Sequence, residues 1–328
     1  MSDRLSQLHS WLRKTLGTEH YTFAPASSDA SFRRYFRVGV GGASTKIVMD
    51  APPERENCAP FIKIAKMFGD MGLHVPQMYA QDLAQGFLLL SDLGEGQYLR
   101  VLNQANVGRL YGDALSALMT LQAHGTAVDL PSYDRALLLR ELEIFREWYL
   151  GKHVHYPLND ELNRKITECY EFLVAAALEQ PRVIVHRDFH SRNLLLTPKH
   201  NPGILDFQDA VIGPITYDLV SLLRDCYITW PLHQIHDWVR GYQQLCLQSG
   251  VLRIDDEPQF LRWFDLMGVQ RHLKAAGIFA RLNHRDGKPD YLQDVPRTLS
   301  YVQSVAQHYP ELNTIKTLLD SIPFVEQA

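Results

Sequence analysis

The chain has 328 residues, with 33 Lys+Arg against 37 Asp+Glu and 46% apolar residues. That length suggests two lobes and a real core, and a net charge of −4 argues against a dedicated nucleic-acid binder. Ordinary charged and apolar fractions exclude wholesale disorder. Cys58, Cys169, Cys226 and Cys246 form no C-x-x-C pair and read as reduced thiols. The first sixteen residues lack the apolar stretch of a signal peptide, and the run of Phe87, Leu88, Leu89 and Leu90 is too short to cross a bilayer. The expectation is a cytoplasmic protein with neither membrane nor nucleic-acid partners.

Leu5, Leu8, Leu12 and Leu16 recur at helical spacing, so the chain opens with an amphipathic helix. Residues 32–38, rich in aromatics, and 46–49 read as two strands around the turn Gly39, Val40, Gly41 and Gly42. Pro52 and Pro53 suggest a helix start, and Phe61, Ile64, Ala65 and Phe68 form its buried face. Short strands follow at 77–80 and 86–90. This order describes a small α+β lobe, residues 1–92. From residue 93 to 328 long helical segments dominate, clearest at 110–122, 135–150, 161–177, 232–246 and 258–282. One β island, between 182 and 214, interrupts them.

The island reads HRDFHSRNLLL followed by GILDFQD. An aspartate, an asparagine five residues later and a second aspartate after apolar strand residues are parts that phosphoryl transfer needs. One carboxylate takes the proton of the attacking hydroxyl, while an amide oxygen and another carboxylate suit a hard cation such as Mg²⁺. The segment resembles the catalytic core of the protein-kinase-like superfamily, in its aminoglycoside phosphotransferase and choline kinase branch. SDASFRRYFR at 28–37, MDAPP at 49–53 and LMGVQRHLK at 266–274 are similar, over nearly the whole chain, to the anomeric N-acetylmuramate/N-acetylglucosamine kinases of bacterial cell-wall recycling.

The resemblance implies a two-lobed kinase-like fold, with a β-rich nucleotide-binding lobe and a mostly α lobe, and with ATP and Mg²⁺ held between them. By position it makes Asp188 the catalytic base and Asn193 and Asp206 the metal ligands. It implies structure, not catalysis, for His186. Adenine would meet backbone near Leu90 and Asp92. No G-x-G-x-x-G is present; Ser28 and Ser31 stand in the corresponding turn, where backbone N–H groups can cradle phosphate. The usual phosphate-gripping lysine is also missing, which leaves Arg33 or Arg34 as its replacement. Asp218 reads as a helix-start residue.

Only nine residues separate Asp206 from the helix near Thr216, so there is no room for a peptide-docking activation segment. A small-molecule acceptor follows. Residues 93–328 hold 23 basic and 28 acidic groups, too slight an excess for a site built to take polycationic aminoglycosides. Arg271, Lys274, Arg281 and Arg285 instead fall on one helical arc. That arc is either a solvated face or a carboxylate-reading one. His190, Arg192, Gln208 and Asp209 flank the proposed catalytic groups and complete the acceptor candidates with Arg271 and Lys274. Trp230 and Trp263 either stack on a sugar or pack in the core. The resemblance implies transfer to the anomeric hydroxyl of N-acetylmuramate or N-acetylglucosamine. The alternatives are a kinase of another small alcohol, a silent nucleotide-binding module, and a metal hydrolase using His186, Asp188 and His190.

Overall fold

The computed structural model of the chain describes residues 2–28, 32–42, 44–126 and 128–322. In chain order its elements are α1 (Ser2–Leu16), β1 (Thr22–Ser28), β2 (Arg34–Gly39), β3 (Lys46–Asp50), α2 (Cys58–Asp70), β4 (Met78–Asp82), β5 (Phe87–Ser91), α3 (Tyr98–Val101) and α4 (Val107–Ala123). There follow α5 (Arg135–Ile144), a π-helical stretch (Phe145–His153), α6 (Asp160–Leu178), β6 (Arg182–Val185), β7 (Leu194–Leu195), β8 (Gly203–Ile204) and β9 (Val211–Pro214). The chain ends in α7 (Tyr217–Leu223), α8 (Leu232–Gln248), α9 (Phe260–Asp286), α10 (Val295–Ala306) and α11 (Asn313–Ser321). It divides into two compact units, Met1–Asn103 with Asn193–Asp209, and Gln104–Arg192 with Ala210–Ala328.

The first unit is built on an antiparallel sheet in the order β1-β2-β3-β5-β4. Period-2 alternation sends Val38, Val48, Phe87 and Leu89 to one face, where Leu8 and Leu12 of α1 cover them. Three strands, not two, precede α2: β1 is an extra edge strand that the scattered Thr, Ala, Pro and Ser of residues 22–28 conceal. Nor do Pro52 and Pro53 start α2. Their carbonyl side closes a turn, with the Arg55 and Glu56 N–H groups both reaching Pro52 O. The helix begins at Cys58 because the Asn57 side chain accepts the Ala59 N–H at 2.9 Å, a cap worth about 1 kcal/mol.

The β7–β8 hairpin belongs to this unit through its backbone. Ile204 N–H donates to His74 O at 2.8 Å, Leu196 N–H to Gly96 O at 2.6 Å, and Asn201 Nδ2 to the Tyr98 hydroxyl at 2.7 Å. Asn193 and Asp206 are therefore carried by the same compact unit as the five-stranded sheet, although the sequence groups them with the helical segment.

The second unit is helical around α9, which packs against α5, α6, α7, α10 and the π stretch. Residues 263–274 of α9 are buried on nearly every side, so that helix shows no narrow apolar stripe. It ends where Gly287 adopts φ +64° and donates its N–H to Asn283 O, a left-handed cap suited to glycine. Residues 135–150 read as one helix but are not: the α geometry gives way at Phe145. Gly277 lies at this junction, where an added Cβ would stand 2.6 Å from Ile144 C and Phe145 N. The absence of a side chain lets the two backbones touch. The four cysteines are free and buried, and no helix among the described residues is long and apolar enough to cross a membrane.

Candidate active site

In the second unit, β6 pairs with β9, register Val185 to Val211, and delivers the chain to His186 and Arg187. Both backbone N–H groups donate to the Asp218 carboxylate, at 2.6 and 2.9 Å. Asp218 is thus more than a helix-start residue: from the first turn of α7 it holds the loop that presents Asp188. Arg187 sits at φ +78°, a conformation costing a non-glycine residue about 1–3 kcal/mol, so the loop must be over-determined by its surroundings. His186 does so by accepting the Asp188 N–H at Nδ1, 3.3 Å away, and it is buried, as a structural role requires. Further along, Ser191 N–H donates to Asp225 at 2.9 Å.

Charge around this loop is concentrated and mostly paired. Glu141 of α5 takes the guanidinium of Arg187, the Lys274 ammonium at 3.0 Å and the Tyr133 hydroxyl. Lys274 also donates to the Tyr217 hydroxyl at 3.0 Å. Burial alone would push the Asp188 carboxyl up; the charges of Lys274, His190, Arg271 and Arg187 outweigh it and hold the group below its ordinary value. Asp188 is therefore ionised at neutral pH, as a proton acceptor must be. Burial lowers His190, against the pull of Asp225 and Asp188. A cavity of about 90 Å³ opens here, lined by Asp188, His190, Tyr217, Arg271 and Lys274 with Phe279.

The expected arc on α9 is not one continuous surface. Arg271 and Lys274 are buried at its core end while Arg285 is exposed at the other. Arg192 lies outside that cavity's lining, with its guanidinium 3.8 Å from the Tyr227 ring centre. Trp230 donates to the Tyr111 hydroxyl and Trp263 to Glu179, both buried, so both belong to the core.

In the first unit, Asp206 follows β8 at φ +63°, and its neighbour Phe207 packs on Phe61 and Phe68 of α2, ring centres 5.0 and 5.9 Å away. Asn193 Nδ2 lies 3.3 Å from one Asp206 oxygen, and Gln208 Nε2 donates to the other at 2.8 Å. Gln208 thereby orients the carboxylate, and Asp209 stands exposed in the adjoining turn. An amide oxygen and a carboxylate make an all-oxygen donor pair, which would suit a hard cation such as Mg²⁺. Among the described residues no three His, Cys, Asp or Glu side chains form a metal-binding group, so the hydrolase alternative lacks its ligand set.

The two candidate phosphate grips differ. Arg34 lies opposite Asp50 in the β2–β3 register, and its guanidinium pairs with that fully buried carboxylate, which Arg4 also reaches at 2.6 Å. Arg33 pairs with Glu56 at 3.2 Å and feels the charge of Asp206. Leu90 is buried in β5, paired with Ile47, and the Asp92 carboxylate is taken by Arg37, Thr45 and the Gly94 N–H. Ser28 ends β1; Ser31 lies outside the described residues. Glu141, Tyr217 and Asp225 carry no motif that would single them out in the sequence.

The fold is that of small-molecule kinases. A choline kinase from Cryptosporidium parvum superposes with a TM-score of 0.67 at 12% identity, covering 96% of this chain and 99% of that one. An ADP-bound aminoglycoside phosphotransferase gives 0.58 at 16% identity, covering 90% and 97%. Residues 22–264 match the model of the phosphotransferase enzyme family, and the chain belongs to that family. Its curated relatives include the N-acetylmuramate/N-acetylglucosamine kinases of Pseudomonas aeruginosa, 47% identical over 98% of both chains, and of Neisseria meningitidis, 41% identical over 96% of this chain and 95% of that one. The protein is an enzyme that transfers a phosphoryl group.

Proposed function

We propose that the enzyme transfers the γ-phosphoryl group of ATP to the anomeric hydroxyl of N-acetylmuramate and N-acetylglucosamine, giving the α-1-phosphates in cytoplasmic peptidoglycan recycling. The observation that carries this reading is near-full-length identity of 41–47% to relatives that share that substrate pair in their names. Asp188 orients the sugar hydroxyl and accepts its proton. Asn193 and Asp206 hold Mg²⁺, which neutralises phosphate charge when bound. Gln208 steers the Asp206 carboxylate, and Asp209 and His190 bind sugar hydroxyls in this reading. Arg33 grips the donor phosphates, with Glu56 orienting its guanidinium. Backbone at Ser28 and near Leu90 and Asp92 completes the nucleotide site.

³¹P NMR of the purified protein with Mg-ATP and each sugar in parallel tests this. A new phosphate signal coupled to the anomeric proton is the expected result. Signal from another carbon discards the anomeric assignment, and turnover only of choline or kanamycin discards the amino sugars.

A further inference from the structure

Of the two cations that α9 brings to the cavity beside Asp188, one is already used. Lys274 is ion-paired with Glu141 at 3.0 Å and hydrogen-bonded to Tyr217. Arg271 is different. It is 5% exposed, its Nε has no hydrogen-bond partner among the described residues, and its Nη1 reaches the Cys226 sulfur at 3.5 Å. The neighbouring Asp225 carboxylate attracts it at longer range, as Asp188 does, while its two oxygens accept the backbone N–H groups of Ser191 and Tyr227. Glu141 is shared by Arg187 and Lys274. A buried guanidinium with an unmet donor costs free energy that a bound anion returns.

We propose that Arg271 reads the lactyl carboxylate of N-acetylmuramate and is the residue that separates this sugar from N-acetylglucosamine. The inference rests on the function proposed above. N-acetylmuramate is N-acetylglucosamine bearing a lactyl ether, so a carboxylate is the charged difference between them. The guanidinium offers it a planar fork of donors, and the cavity that Arg271 lines also holds Asp188, where the acceptor hydroxyl must come. Lys274, locked by Glu141, keeps the wall of the cavity in place.

The test is steady-state kinetics of the full chain with N-acetylmuramate, its carboxyl methyl ester and N-acetylglucosamine, for wild type, Arg271→Gln and Arg271→Lys. Arg271 also acts on Asp188, so every substrate loses something in the variants; the ratio is what counts. The kcat/KM ratio of N-acetylmuramate to N-acetylglucosamine falls about tenfold or more in Arg271→Gln, the size of a charge-assisted hydrogen bond. Arg271→Lys recovers part of it. Wild type disfavours the ester by a similar factor, which needs no variant to fold. Equal losses for both sugars, or no discrimination against the ester, overturn the assignment while the proposed function stands. Wild type that turns over neither sugar overturns both.

Discussion

Glu141 of α5 and Arg187, the residue before Asp188, form a largely buried ion pair, and Lys274 of α9 joins the same carboxylate at 3.0 Å. One anion thus pairs with two cations from different elements and fixes the start of the loop that carries Asp188. Removing a partner from such a pair leaves an uncompensated charge, at a cost of about 3–5 kcal/mol. Glu141→Gln is expected to lower Tm strongly, because two cations lose their counter-ion. Lys274→Met leaves Glu141 with Arg187, so it costs less and keeps discrimination between the two amino sugars. Thermal unfolding and sugar kinetics of both variants check this; a Lys274→Met enzyme that loses its sugar preference would give Lys274 the role assigned to Arg271.

Asp188→Asn removes a carboxylate that its cationic neighbours hold ionised. kcat should fall about 10²–10⁴-fold, the range typical of general-base loss, while ATP binding stays near wild type. A variant within tenfold of wild type would remove Asp188 from the base role.

The two neighbouring arginines make opposite predictions. Arg34 pairs with the fully buried Asp50, so Arg34→Met destabilises the sheet and leaves KM for ATP nearly unchanged. Arg33 pairs with Glu56 and senses Asp206, so Arg33→Met raises KM for ATP about tenfold or more with a smaller effect on Tm. Nucleotide kinetics beside melting curves decide it. The reverse pattern would hand the grip to Arg34.

These contrasts mark where the sequence stops being informative. The expectation for Asp188, Asn193 and Asp206 comes from their spacing along one short stretch. The structural role expected of His186 comes from the family resemblance, and its burial agrees with it. Arg33 and Arg34 are not separable, since what tells them apart is that Asp50 lies opposite Arg34 in the next strand whereas Arg33 pairs with Glu56. Arg271 and Lys274 look alike on a helical arc, and Glu141, 130 residues or more away, tells them apart. β1 is missed because its residues lack β-branched alternation, and its pairing with β2 makes the strand. Helix α9 hides its burial because it is enclosed on nearly all sides, which removes the amphipathic signal.

Gly277 is the backbone contact that a side chain cannot share. A Cβ there would meet Ile144 and Phe145 main-chain atoms at 2.6–2.7 Å, and neither is the movable end of a side chain. Gly277→Ala must push α9 away from the α5–π junction, at about 1–3 kcal/mol by analogy with overpacked cores. This outweighs the gain of about 1 kcal/mol that alanine brings in helix propensity. Chemical denaturation gives the sign directly: a stabilised variant would show that the junction yields.

Asp218 sets a pH dependence. Burial pushes its carboxyl up to about 7, against the pull of the His186 and Arg187 N–H groups, and the Asp188 charge adds to the rise. An aspartate in the unfolded chain ionises near 3.8. Between those values the folded protein keeps a proton that the unfolded chain has released. The group therefore stabilises the fold fully below about pH 4, loses that contribution as pH rises toward 7, and adds no further slope above it. Buried histidines work the other way in part of this window: His272 is lowered to about 3 by burial and by the Arg271 charge, so its stability penalty lifts as pH rises through 6.5. The difference between wild type and Asp218→Asn isolates the aspartate, since the histidines are common to both. Asparagine cannot titrate and retains one acceptor for the loop amides, so the variant is less stable at every pH. Unfolding free energies from pH 5 to 8 should show the wild-type advantage shrinking up to about 7 and then levelling. Parallel curves would mean that the two loop N–H bonds win over burial and that Asp218 holds the Asp188 loop as a full anion.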